Sequence, residues 1–154
     1  MSDLLAPARI PPSALALGLG GLVPFVAGAL ALWVPLPLLS PGLGLKLIIS
    51  YGAIILSFLG GIRWGTAIGP YDGGRMSFEF SASVLGSLAG LAAVFLPPVP
   101  ALTLLVAGFL LQSLWDVNSV ESGRLPGWFG KLRMVLTAGA VISLIGALVA
   151  VVFT

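Results

Sequence analysis

The sequence predicts an all-α fold, a polytopic membrane helical bundle of about five transmembrane helices, on three observations. Only 8% of the 154 residues are charged and 58% are hydrophobic, whereas a soluble domain carries about 25% charged residues to solvate its surface. The apolar residues gather in five runs, each near the roughly 20 residues a helix needs to cross hydrocarbon about 30 Å thick. Within each run the apolar character covers every face, while a transmembrane β-strand alternates over about ten residues. Mean hydropathy is +1.15, so most of the outer surface has to face lipid.

The first run, residues 13–34, is uncharged and holds Gly18, Gly20, Gly21 and Gly28 around Pro24. Proline removes a helix hydrogen bond, which predicts a kink there, and neighbouring helices make such a break tolerable in a membrane. The preceding residues 1–12 carry Asp3 as well as Arg9. The run behind them is as long as a full span, so they are expected to be a short cytoplasmic tail and not a cleavable signal. The second run, residues 45–64, has Lys46 at one end and Arg63 at the other, where long side chains can reach the interface. A turn rich in glycine, Gly69 to Gly74, follows it.

The third run, residues 79–96, ends at Pro97, Pro98 and Pro100, and the fourth, residues 99–116, begins at once. So tight a connection predicts an antiparallel hairpin, either two full crossings or a re-entrant pair. Residues 117–133 form the longest polar stretch, read as a loop, and the uncharged run 134–153 closes the series. Residues 13–154 are thus expected to form one transmembrane domain, with no room among them for a soluble catalytic unit.

An odd number of crossings puts the termini on opposite sides. Arg9, Arg63, Arg75, Arg124, Lys131 and Arg133 then share one side and Lys46 stands alone on the other. Basic residues collect at the cytoplasmic ends of spans, so the expected orientation is N-in/C-out. The net charge of +2 and pI near 9.5 are explained by this topology signal and not by nucleic-acid binding.

The chain has no His and no Cys, which removes disulfides, thiolate chemistry, the commonest zinc ligands and a His-based triad. Its glycines lie in apolar runs and not before a Lys-Ser or Lys-Thr pair, so no phosphate loop is present. No catalytic residue, metal site or cofactor is expected. Polar groups nevertheless converge at one depth. Gly108, Gln112 and Asp116 recur every four residues, as do Glu79, Ser83 and Ser87, and that spacing puts each set on one helix face. Arg63 ends its span at the same level.

Ionisable groups within a membrane face the bundle interior or a wet cavity and pair with one another. Arg63 is expected to pair with Asp116 or Glu79. The cluster is either a structural salt bridge anchored by Trp64 and Trp115, or a pocket open to the cytoplasm for a lipid headgroup or quinone-like ligand. In the last loop, Arg124, Trp128 and Arg133 combine basic and aromatic groups, a pattern of interfacial anchoring or of a docking surface. Gly61 and Gly65, and Gly86 and Gly90, have the four-residue spacing that lets membrane helices approach closely, and all four are expected to serve helix packing.

The run Tyr51 to Gly65, with Gly60-Gly61-Ile62-Arg63-Trp64-Gly65 at its end, together with Leu114-Trp115-Asp116 and Pro126 to Arg133, resembles the signature of a domain-of-unknown-function family of small membrane proteins that includes animal transmembrane protein 69. The resemblance covers most of the chain from about Leu17. It implies a bacterial inner-membrane location, or the mitochondrial inner membrane for eukaryotic relatives, and no established activity.

The functional expectation is a non-enzymatic binding or accessory factor, supporting assembly of a membrane complex. Its partners are membrane lipid or another inner-membrane protein, met through the polar cluster. A small transporter or channel using Arg63, Glu79 and Asp116 is the alternative, opposed by an outer half whose polar groups are only Lys46, Ser50 and Tyr51.

Overall fold

A computed structural model describes residues 9–69 and 76–153. Residues 1–8 of the expected tail, most of the Gly69–Gly74 turn and Arg75 lie outside the described residues. Six helices follow in order: α1 (Pro12–Gly20), α2 (Val23–Leu30), α3 (Pro41–Ala67), α4 (Met76–Phe95), α5 (Pro98–Glu121) and α6 (Gly127–Phe153). Together α1 and α2 make one span, Pro12–Leu30, and the chain has five segments long and apolar enough to cross a membrane.

The break in the first span falls where Pro24 dictates. Pro24 sits in the first turn of α2 and has no N–H to give the carbonyl one turn back. The chain tightens at Gly21 and Leu22, where the Leu22 N–H donates three residues back to Leu19. Two of the longer helices start on proline: Pro41 opens α3 behind Ser40, whose hydroxyl caps the Leu43 N–H, and Pro98 opens α5. Proline suits this position because its missing donor has no helical partner there anyway.

The core is a column of Phe25, Ile48, Leu56, Leu102, Leu105, Phe109 and Leu144. Phe25 meets Tyr51 and Phe109 edge to face, at 5.2 Å and 5.6 Å between ring centroids. Outside it, Ile54, Phe58, Leu111, Leu114 and Ile142 are each more than 60% exposed, a surface that only lipid accommodates.

Helices α3 and α4 pack backbone to backbone. A Cβ on Gly86 would stand 2.8 Å from the Leu56 carbonyl oxygen and one on Gly90 2.7 Å from that of Ala53, while Gly60 lies against the Ser83 backbone. Ser57 and Ser87 share a 2.8 Å hydroxyl hydrogen bond in the same seam. Gly86 and Gly90 therefore do pack helices together. Gly61 and Gly65 do not: a Cβ at either meets open space. The reason is rotational. Each residue turns the helix by about 100°, so the seam takes Gly60 and turns Gly61 and Gly65 outward.

The helices also overrun the apolar runs. α5 continues to Glu121 and α6 starts at Gly127, leaving only 122–126 of the expected 117–133 loop. Hydropathy marks where lipid begins, whereas a helix continues as long as its backbone bonds and inner face are satisfied. The end of α5 is closed by a Schellman motif. The Arg124 N–H donates to the Ser119 carbonyl and the Gly123 N–H to that of Val120, with Gly123 at φ 72°. Helices α4 and α5, at 20 and 24 residues, are each long enough for a full crossing.

Gly90→Leu is expected to lower stability by about 1–3 kcal/mol, because backbone cannot yield to the new side chain. Gly61→Leu should stay within about 0.5 kcal/mol of the wild type. Thermal unfolding of both variants in detergent checks the contrast; equal losses would reject the assignment of the seam.

Candidate functional site

The polar residues gather where the C-terminal ends of α3 and α5 meet the N-terminal ends of α4 and α6. Asp116 is 1% exposed, Glu79, Gln112 and Arg133 5%, and Arg63 8%. Placing so many ionisable groups out of water requires partners, and the structure supplies them in an arrangement the helical spacing does not reveal.

Asp116 of α5 pairs with Arg133 of α6, Nε to Oδ2 at 2.7 Å. Glu79 of α4 pairs with Arg124 just after α5, Nη1 to Oε1 at 2.6 Å. Both are charge-assisted hydrogen bonds at the short end of their range. The Schellman turn is what carries the chain back to bring Arg124 to Glu79. Glu79 also lies in the first turn of α4, where the helix dipole favours an anion.

The expected pairing of Arg63 with Asp116 or Glu79 is thus corrected: neither carboxylate touches it. Its guanidinium carbon lies 4.1 Å from the centroid of the Trp115 ring, a cation–π contact of roughly 0.5–2 kcal/mol. It feels Asp116 and Glu79 through space, and its Nε has no hydrogen-bond partner among the described residues. Sequence depth places Arg63 correctly, but the carboxylates are taken by arginines that a linear reading assigns to a loop.

Gln112 ties the network to α3: its amide donates to the Leu59 carbonyl at 3.2 Å and to Asp116 Oδ1 at 3.4 Å. Trp115 is flanked by Phe78 at 5.3 Å. Trp64, half exposed, meets Phe80 at a tilt of 55° and 4.7 Å between centroids, and Trp128 lies edge-on to Phe129 at 6.0 Å. The structure brings Arg63, Glu79, Gln112, Trp115, Asp116, Arg124 and Arg133 into one network; Trp64 and Trp128 stand at its margin.

Sequence reading missed a cleft beside this network. It holds about 350 Å³ between α1, α3 and α6, with Arg133, Phe129, Tyr51 and Phe25 among its lining residues. Leu17 and Phe58, 79% and 69% exposed, line it as well, so it opens sideways toward lipid. Helix α1 has no buried residue and rests on α6 alone among its main contacts, which leaves the gap to α3. Arg133 Nη2 is buried without a hydrogen-bond partner among the described residues, as is the Thr137 hydroxyl one turn along α6. No pattern in the sequence signals this cleft, because apolar residues lining a gap read the same as apolar residues filling one.

These features define a class: a five-span helical membrane protein whose buried polar side chains form a partly ion-paired cluster at one end, next to a lipid-facing cleft. The chain belongs to the family of proteins of unknown function DUF3429, whose match covers residues 10–149. It is similar to transmembrane protein 69 of Xenopus tropicalis, 37% identical over 151 residues, which is 96% of this chain and 58% of that protein. The chain therefore spans little more than half the length of this relative. No solved structure matches it.

Asp116→Asn is expected to destabilise the bundle by about 3–5 kcal/mol, since it leaves Arg133 buried and uncompensated. Replacing both partners, Asp116→Leu with Arg133→Met, should restore most of that loss. A thermal melt of the three variants in one detergent tests it, and a double variant no more stable than Asp116→Asn would contradict the pairing.

Proposed function

We propose that this protein is a non-catalytic binding factor of its membrane, holding an amphiphilic lipid in the α1–α3–α6 cleft and acting as an accessory component of a larger membrane assembly. The observation that carries this reading is the cleft itself. It is concave, mostly apolar and near the lower size limit of ligand sites, opens to lipid, and ends at a buried guanidinium. The neighbouring carboxylates are each engaged by an arginine, which suits a structural and recognition role better than proton transfer.

Passage across the membrane is less well supported. In the opposite half of the bundle, Lys46 and Ser50 are exposed outward, Ser143 is satisfied by its own helix through the Gly139 carbonyl, and the inner column is aromatic and aliphatic. The proposed orientation places the polar end in the cytoplasm of a bacterial cell or the equivalent face of an inner membrane. Arg9, Arg63, Arg124, Lys131 and Arg133 gather there, and the exposed Arg9 and Lys131 attract anionic headgroups.

Native mass spectrometry after purification in mild detergent tests the binding role. The wild type is expected to retain lipid adducts. Gly18→Phe, whose Cβ would press on a Leu136 methyl at 2.8 Å and whose ring would fill the cleft, is expected to shed them while still melting cooperatively, because the Leu136 side chain can turn aside. A wild type that carries no adduct, or a filled cleft that carries as much, rejects the reading.

A further inference from the structure

The cleft has a length, a charge and an unused donor, and together these specify the class of ligand. From Arg133 its α6 wall runs to Ala140, roughly 10 Å at the helical rise of 1.5 Å per residue. That is about a third of the ~30 Å hydrocarbon layer, enough to hold the part of a chain nearest its head. A volume of about 350 Å³ lies at the small end of ligand sites and suits one slender chain better than a pair or a ring system.

Charge selects the head. Three guanidiniums, Arg63, Arg124 and Arg133, are gathered around two carboxylates, Glu79 and Asp116. Arg124 is matched by Glu79, while Asp116 is shared by Arg133 in direct contact and Arg63 through space. Among the described residues the network is one negative charge short. Arg133 lines the cleft, and its Nη2 is buried and lacks an acceptor among the described residues, an arrangement that is costly for a charged donor. A carboxylate is the smallest head that both accepts this N–H and supplies the missing charge. Because Arg133 is only 5% exposed and its Nη2 is closed off, the head has to be compact and the guanidinium has to turn toward it.

We propose that the cleft binds a single-chain carboxylate amphiphile of the fatty-acid type, its head on Arg133 and its chain lying along α6 toward the middle of the bundle. This inference rests on the binding role argued above and adds the identity of the head. Tyr51, Phe25 and Ala140 surround the inner end of the chain, and Leu17 and Phe58 form the rim through which it enters from the leaflet.

The test uses the full chain in nonionic detergent with cis-parinaric acid, its methyl ester and decylubiquinone as probes, read by probe fluorescence or by quenching of the protein's tryptophans. The acid is expected to bind at least tenfold tighter than the ester. Arg133→Lys keeps a cation for Asp116 but loses the guanidinium fork, so it should melt near the wild type and lose most of that preference. The paired Asp116→Leu/Arg133→Met variant should bind acid and ester alike. Equal binding of acid and ester to the wild type, an undiminished preference in Arg133→Lys, or tighter binding of decylubiquinone overturns the carboxylate assignment. Preferential retention of phosphatidylglycerol over fatty acid in native mass spectra overturns the compact head. If binding shows no charge preference yet is abolished by Gly18→Phe, the carboxylate inference fails and the cleft reading survives. If no probe binds and no lipid is retained, both fail.

Discussion

The Asp116–Arg133 ion pair is the contact on which the polar end of this bundle depends. It joins α5 to α6 at 2.7 Å, almost wholly removed from solvent, and Gln112 extends it to the α3 backbone. In a medium of low dielectric a lone charge at this depth is costly, and a matched pair offsets much of that cost only when its geometry is good and its other polar atoms are bonded. Here one oxygen of Asp116 receives Arg133 and the other Gln112. The pair thereby fixes the relative rotation of three helices, and with it the wall of the cleft.

Around this contact the bundle divides its work between two kinds of seam. Between α3 and α4 small residues let the backbones meet, with Gly60, Gly86 and Gly90 lying against facing backbone. Gly28 and Gly44 do the same between α2 and α3, while in the core large side chains interlock, as where Phe25 reaches both Tyr51 and Phe109. Since lipid chains are as apolar as leucine, helices in a membrane gain little from burying apolar surface, and close packing with polar bonds has to hold them together. The N-terminal piece of the first span, α1, departs from both patterns. The Pro24 break separates α2, packed between α3 and α6, from α1, which has no buried residue. The sideways cleft follows from that separation.

The network also shows why exposure and charge have to be read together. Arg63 contacts neither carboxylate and rests on Trp115, so its positive charge is spread over the site without being cancelled. Arg133 in turn is left with an unbonded nitrogen next to an apolar gap. Among the described residues, a surplus cation and a spare donor beside an apolar cleft are the features on which the proposed ligand binding rests.

Sequence alone determined the helical class, the five crossings and the depth of the polar groups. Each of these follows from local quantities: the length of an apolar run, the lack of alternation along it, and the position of Arg63, Glu79 and Asp116 at run ends. Gly86 and Gly90 could be read for the same reason, as a spacing on one helix. What only the tertiary structure decided is pairing. Which arginine meets which carboxylate depends on helix rotation and on the turn at Gly123, and the face that a glycine presents changes by about 100° with a single residue. Arg124 and Arg133 looked like loop and interface charges because hydropathy reports contact with lipid and not the continuation of a backbone helix. The cleft was invisible for a related reason: a gap between helices is a property of how they stand apart, and no residue in the sequence encodes it singly.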